Sequence, residues 1–329
     1  MQKRFILYYC GAVLGLSFQA HGQTKDAATK PSDFPNKPIR LVIGTAPGGG
    51  VEFVARVVSE KMSAILKAPI VIDSQAGANG VVASQLVSGL PPDGYTLLMM
   101  SSAYAINPAM YKLRFDPVAD LTPIVQLTSA PYVITIESSV PAQSLSELVE
   151  YAKRKPGALN YSSPGIGSPG HFAAELFSRA VSINMTHVPY KGAGPATVAL
   201  ESGEVQVYFG SPPSVNRALG NGRVRAIAVT SQKRSSMLPN VPTAEEAGIR
   251  GYSVVGWYGI FGPAKIPPAR VALINETAVK VLQMPDVIAR LRQDGSEAGG
   301  GSSQDFATLV VSDIARWKDV AARAGIKPE

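Results

Sequence analysis

Short, continuously apolar runs alternate along this chain with longer segments in which apolar positions recur every three or four residues, and a glycine-rich turn usually separates the two. Pro38-Ile39-Arg40-Leu41-Val42-Ile43 is too short for a helix and reads as a buried strand. The turn Ala46 to Gly50 leads from it into Val51 to Leu66, where Val54, Val57, Val58, Met62, Ile65 and Leu66 keep helical spacing. The unit recurs: Pro69 to Ile72 precedes the turn Gly77 to Gly80 and a helix through Leu86, and a strand from Tyr95 to Met99 ends at Ser101-Ser102. Strands Ile124 to Leu127 and Tyr132 to Ile136 follow, then a helix from Ser144 to Lys155 opened by the capping box of Ser144 and Glu147. Strand Leu159 to Ser162, helix His171 to Ala180, Thr186 to Val188, a helix ending near Ser202, and strands Val205 to Phe209 and Val224 to Thr230 continue the series. Helices Arg270 to Leu282, Asp286 to Asp294 and Ser303 to Ala324 close it.

Strand and helix in alternation predict an α/β fold with parallel sheets and crossover helices. At 329 residues the chain is long for one domain. The expected organisation is a discontinuous first domain, 37–129 with 231–329, and an inserted second domain, 130–230. Two hinge strands near Leu127 to Pro131 and Ala228 to Thr230 would join them. In open sheets of this kind the ligand sits beyond the carboxyl ends of the strands, here in the cleft between the halves.

The first residues change the compartment. Met1 to Arg4 carry positive charge, Phe5 to Phe18 are largely apolar, and Ala20-His21-Gly22 places small residues where a signal peptidase reads them. Residues 1–22 are therefore expected to be a signal peptide, cleaved near Gly22-Gln23, with a mobile leader over 23–36 and an exported mature protein. An apolar run of about 14 residues is short of the ~20 that span a bilayer. Cys10, the single cysteine, leaves with this segment, and Leu7-Tyr8-Tyr9 lacks the small residues that precede a lipidated cysteine. The mature chain then has neither disulfides nor thiolate chemistry. The formal charge of +7 falls to +5 once Lys3 and Arg4 are gone, which reads either as a weak field for anions or as an ordinary basic surface. No run of five Lys/Arg and no basic-aromatic interleaving is present, so nucleic acid is not an expected partner.

Two glycine turns carry the candidate chemistry. Ala46-Pro47-Gly48-Gly49-Gly50 follows a strand and opens a helix, so its amides can approach an anion; Val51-Glu52 in place of Lys-Ser/Thr excludes a nucleotide loop. Gly165-Ile166-Gly167-Ser168-Pro169-Gly170 has Gly-x-Gly-x-x-Gly spacing, but Tyr190 to Ala196 holds no acid where a dinucleotide site needs one. Each turn is either an anion cradle or a purely structural bend. His171 reads as a polar cap, a packed side chain or a ligand contact, and with His187 it is too isolated for a metal cluster. Trp257 is either core or cleft wall. No Gly-x-Ser-x-Gly elbow and no recognisable triad is present.

Together Pro38-Ile39-Arg40, Pro47 to Gly50, Gly77-Ala78-Asn79-Gly80, Pro92-Asp93-Gly94-Tyr95-Thr96-Leu97-Leu98 and Asn107-Pro108 resemble the Bug family, the extracytoplasmic receptors of tripartite tricarboxylate transporters. The likeness continues through Ser168 to His171, His187 to Gly192, Val241-Pro242-Thr243 and Glu246-Ala247-Gly248. The resemblance implies a two-domain, hinge-closing periplasmic binding fold of type II-like architecture. It also implies a small di-/tricarboxylic or aromatic acid as ligand, no cofactor, no catalysis, membrane permease subunits as partners and a monomeric state. Carried over, it places Thr45, Ala46, Gly48, Gly49, Ser101 and Ser102 on one side of the ligand, with Ala78 and Asn79 on the next turn. Gly165, Gly167, Ser168, His171, Tyr190, Gly192 and Ala193 face them. The family often carries Asp where this chain has Glu52, and an acid where this chain has Gly210; losing the second argues against an amino-acid ligand and leaves room for an aromatic body. Two other classes stay open from sequence: a receptor feeding a two-component sensor kinase, and a secreted hydrolase, against which the missing nucleophile and base stand.

Overall fold

The structure, a computed structural model, describes residues 34–45, 50–293 and 295–326; the expected signal peptide and the leader up to residue 33 lie outside them. The strands are β1 (Ile39–Ile43), β2 (Ile70–Ser74), β3 (Thr96–Ser101), β4 (Leu121–Pro131), β5 (Val133–Glu137), β6 (Asn160–Ser163), β7 (Thr186–Pro189), β8 (Val207–Gly210), β9 (Val224–Val229), β10 (Val255–Pro263) and β11 (Glu297–Gly300). They form a six-stranded sheet in the order β11-β4-β10-β3-β1-β2 and a five-stranded sheet in the order β7-β6-β8-β5-β9. The largely apolar β1 is flanked on both sides: Ile39, Leu41, Val42 and Ile43 are all buried between parallel neighbours β2 and β3. Helix α1 (Gly50–Leu66) covers them with Val54, Val57, Val58 and Met62, the residues whose spacing predicts it.

The α/β class and two-sheet architecture hold, but the sheets are mixed rather than parallel throughout. β10 runs antiparallel to both β3 and β4, and β5 antiparallel to β8 and β9. The cause is connectivity: β4 and β10 carry the chain out of the first sheet and back into it, so they run in opposite senses without a crossover helix. β10 escapes the sequence pattern because Gly256, Gly259 and Gly262 interrupt it. Each glycine marks a close approach. A Cβ at Gly259 would lie 2.1 Å from Phe306 Cζ, and one at Gly256 would lie 2.8 Å from the Tyr132 hydroxyl.

Thr230 ties the crossings together. Its amide donates to the Tyr132 carbonyl (2.9 Å) and its hydroxyl oxygen accepts from the Tyr132 amide (2.8 Å). The same hydroxyl donates to the Val254 carbonyl, and the Val254 amide donates to the Thr230 carbonyl. The stretch after Thr230, assigned from sequence to the first domain, bonds largely with the second sheet. Pro242 and Ala244 pair with Val229 at its edge, and the Tyr252 hydroxyl donates to Ala173 O in helix α5 (Pro169–Ala180). The chain regains the first sheet at Val255, opposite Pro131.

One apolar cluster runs under both sheets. Trp257, Phe261 and Phe306 pack together below β10, and Trp317 of α10 (Ser303–Arg323) meets Phe172 of α5 edge to face at 5.7 Å. Among the described residues no helix is long and apolar enough to cross a membrane.

Gly259→Ala should destabilise the fold by about 1–3 kcal/mol, because the new methyl overlaps a Phe306 ring already hemmed in by Trp257 and Phe261. A urea midpoint equal to wild type would contradict this packing.

Candidate ligand-binding cleft

Between the sheets lies a cavity of about 570 Å³. On the first sheet's side it is bounded by Thr45 just beyond β1, Ser101 and Ser102 at the end of β3, and Gly256, Trp257 and Tyr258 of β10. Thr128 and Ala130 of β4 and the crossing residues Pro131 and Tyr132 form its floor. Pro164, Pro169, Gly192, Ala193 and Ser211 close the other side.

Helix starts dominate this lining. α1 begins with Gly50 and Val51, Ser102 is the N-cap of α3 (Ala103–Met110), and Pro169 opens α5. Gly192 is the N-cap of α6 (Ala193–Glu201), and Ser211 immediately precedes α7 (Pro212–Leu219). Five helices from both sides therefore present their amino ends to one cavity, whose described lining carries no charged side chain. Each start leaves amides without intrahelical acceptors and adds a partial positive charge. An anion is the complementary occupant.

A donor inventory sharpens this. The Thr45 hydroxyl is buried and has no hydrogen-bond partner among the described residues, a condition that costs about 1–3 kcal/mol until a ligand or water relieves it. Helix α6 has no side-chain cap. The Gly192 amide donates to Pro164 O, while those of Ala193 and Gly194 find no acceptor among the described residues. Gly192 adopts φ 111°, and among the described residues no atom lies within 4 Å of where a Cβ would stand on it or on Gly194, so this backbone is open to close approach. Ser101 Oγ accepts from the Ala103 amide (3.3 Å).

Of the residues expected from sequence, Thr45, Ser101, Ser102, Gly192 and Ala193 line the cavity. Ala46, Gly48 and Gly49 lie outside the described residues. Ala78 and Asn79 form an exposed 3-10 turn beside β1 and do not line the cavity; the Asn79 carbonyl accepts from Asn107. The Tyr190 hydroxyl turns away to donate to Glu204. Gly210 is buried, and a side chain there would strike Tyr208, Val215 and Ser214. Pro131, Tyr132, Thr128 and Tyr258 escaped sequence reading because they depend on the β4–β10 pairing; Gly256-Trp257-Tyr258-Gly259 was their visible signal. Trp257 is both core and wall: its indole N–H donates to the buried Asp313 at 2.8 Å, which also pairs with Arg316.

The second glycine turn spends its donors on itself. The Gly165 amide donates to Ser163 Oγ (3.1 Å), the Gly167 amide to His171 Nδ1 (3.2 Å) and the Ser168 amide to Gly165 O (3.1 Å), while Ser168 Oγ caps α5 by accepting from the His171 amide. His171 is buried and stacks on His187 with ring centroids 4.0 Å apart; His187 Nε2 lies 2.6 Å from Ser163 Oγ. The pair braces the turn from beneath. Burial holds both rings neutral, His171 at about 3, with His187 adding to the shift, and His187 at about 4. Among the described residues no group of three His, Cys, Asp or Glu is placed to hold a metal.

Because an unconstrained histidine titrates near 6.5, the unfolded chain binds more protons than the folded chain below that value. Stability contributed by the two rings is therefore complete above pH 6.5 and declines as pH falls toward 4 and 3, by at most about 1.4 kcal/mol per pH unit for each ring. Urea midpoints measured from pH 7 to 5 should fall more steeply for wild type than for His187→Gln; parallel slopes would contradict the assignment.

The profile of the family described as "Tripartite tricarboxylate transporter family receptor" matches residues 54–326. A protein of the tcbD-tcbE intergenic region of Pseudomonas sp. (strain P51) is 34% identical over 287 residues, covering 87% of this chain and 85% of that one. Among solved structures, R. palustris Rpa4515 with adipate is 33% identical with a TM-score of 0.78, covering 90% of this chain and 100% of its own. MatC from Rhodopseudomonas palustris with bound malate is 32% identical with a TM-score of 0.72, covering 87% and 99%. With the profile spanning most of the described residues and the two-sheet fold shared, the chain belongs to the tripartite tricarboxylate transporter receptor family, the Bug family that its motifs resemble.

Proposed function

We propose that this protein is a periplasmic solute-binding receptor that closes on a small carboxylate and presents it to the membrane subunits of a tripartite tricarboxylate-type transporter. The observation that carries this reading is the convergence of five helix starts, drawn from both sheets, on one cavity whose described lining is uncharged and holds a buried threonine hydroxyl with no partner among the described residues. A receptor that must release its cargo gains from such a site: fixed dipoles and amides attract the anion without an arginine clamp. Each favourable dipole contributes about 0.3–2 kcal/mol, and each hydrogen bond to a charged group about 1.5–3 kcal/mol. Three or four such donors with some apolar contact reach the roughly 8 kcal/mol of a micromolar complex.

The lobes that close are the six-stranded sheet with its helices and the five-stranded sheet with its helices. The hinge is the pair of crossings tied by Thr230, placed at Tyr132 and Val254 rather than at residues 130 and 230, since Pro242, Ala244 and Tyr252 bond with the second lobe. Adipate in one relative and malate in another are the acids this reading extends from. The residues placed here bind rather than react: His171 and His187, the histidines of the described chain, are stacked below the turn and engaged with Gly167 and Ser163.

Thr45→Val removes the hydroxyl with little change in shape. Calorimetric titration with adipate should show saturable binding to wild type and ten- to hundredfold weaker binding to the variant. Equal affinities would sink the placement of the carboxylate.

A further inference from the structure

We infer that the cleft selects an acid with an apolar carbon body and no ammonium group, so that aromatic and straight-chain acids bind in preference to amino acids; this rests on the carboxylate reading above. The field that favours a carboxylate is the first reason. Five helix amino ends give the cavity a positive potential of one sign, and an ammonium placed in it meets the same partial charges as a repulsion. A counter-acid would have to offset that, and the described lining has none. Glu52, next to Val51 of the lining, pairs with Arg56 on its own helix, and Asp313 sits behind Trp257, bound to its indole and to Arg316. Position 210 cannot supply one either, because Tyr208, Val215 and Ser214 fill the space a side chain would need.

The walls are the second reason. Between the donor groups lie Val51, Pro131, Tyr132, Pro164, Pro169 and Trp257. The three prolines have no amide to offer, and the indole N–H of Trp257 is committed to Asp313. Against the carbon faces of these side chains a polar substituent on the ligand body gives up water without a partner, whereas methylene groups or a ring lose nothing there.

Matched pairs test this: adipate against 2-aminoadipate, and 3-phenylpropanoate against phenylalanine, with 3-phenylpropanamide as the uncharged control, titrated calorimetrically into the mature protein. Each amino acid should bind at least tenfold more weakly than its deamino partner. Ser211→Asp places an acid on the cleft wall at an exposed position before α7, where aspartate is a favourable helix cap, and should shrink both ratios at least threefold. An amino acid that binds as tightly as its partner, or ratios that S211D leaves unchanged, overturns the inference while the carboxylate reading stands. Should the amide bind as well as the acid, the carboxylate reading fails instead, whatever the amino-acid ratio. Failure of every acid to bind overturns both.

Discussion

Every helix begins with amides that its own turns cannot satisfy, and the layout of this protein follows from where those amides are sent. At α5 they are consumed locally: Ser168 caps the helix, and the preceding turn folds its glycine amides onto Ser163 and His171. At α6 there is no cap, and Ala193 and Gly194 keep open donors beside an uncharged cavity. The contrast between two neighbouring glycine turns is between amides spent on their own loop and amides left open, a distinction that glycine content alone does not make.

The hinge obeys the same need for satisfied backbone. Tyr132 and Val254 lie where the chain leaves one sheet for the other, and Thr230 supplies the bonds that neither sheet provides. The apolar cluster under both sheets sets the floor of the cleft: Trp257 is fixed by Asp313 below and exposes only an edge above, and glycines at 256 and 259 let Tyr132 and Phe306 approach the strand. Packing and cleft are thus parts of one arrangement, in which a change below β10 reaches the cleft lining through Trp257 and Tyr132.

Much of the fold was legible because buried parallel strands are short apolar runs, as in Ile39 to Ile43 with Arg40 its single polar residue, and because α1 shows its buried face in its spacing. β10 was not, since its glycines answer to tertiary contacts with Phe306 and Tyr132 that lie far away in sequence. Helix α3 was hidden by Pro108 inside it. For the site, Thr45, Ser101 and Ser102 were visible as polar residues just beyond strands, and Gly192-Ala193 as a glycine turn before a helix. Gly165 and Gly167 had the same signature but a different fate, set by the partners waiting beneath them: Ser163 two residues back and a histidine four residues on, braced by His187.

The claim on which the rest depends is that open helix-start amides, rather than the turn from Gly165 to Gly170, hold the carboxylate. Amide proton shifts of the ¹⁵N-labelled mature protein, followed through titration with 3-phenylpropanoate, measure this directly. The Ala193 and Gly194 amide protons should move downfield and saturate together with the Thr45 signals, while Gly165 and Gly167 move far less. Large downfield shifts at Gly165 and Gly167 with Ala193 and Gly194 unmoved would contradict it.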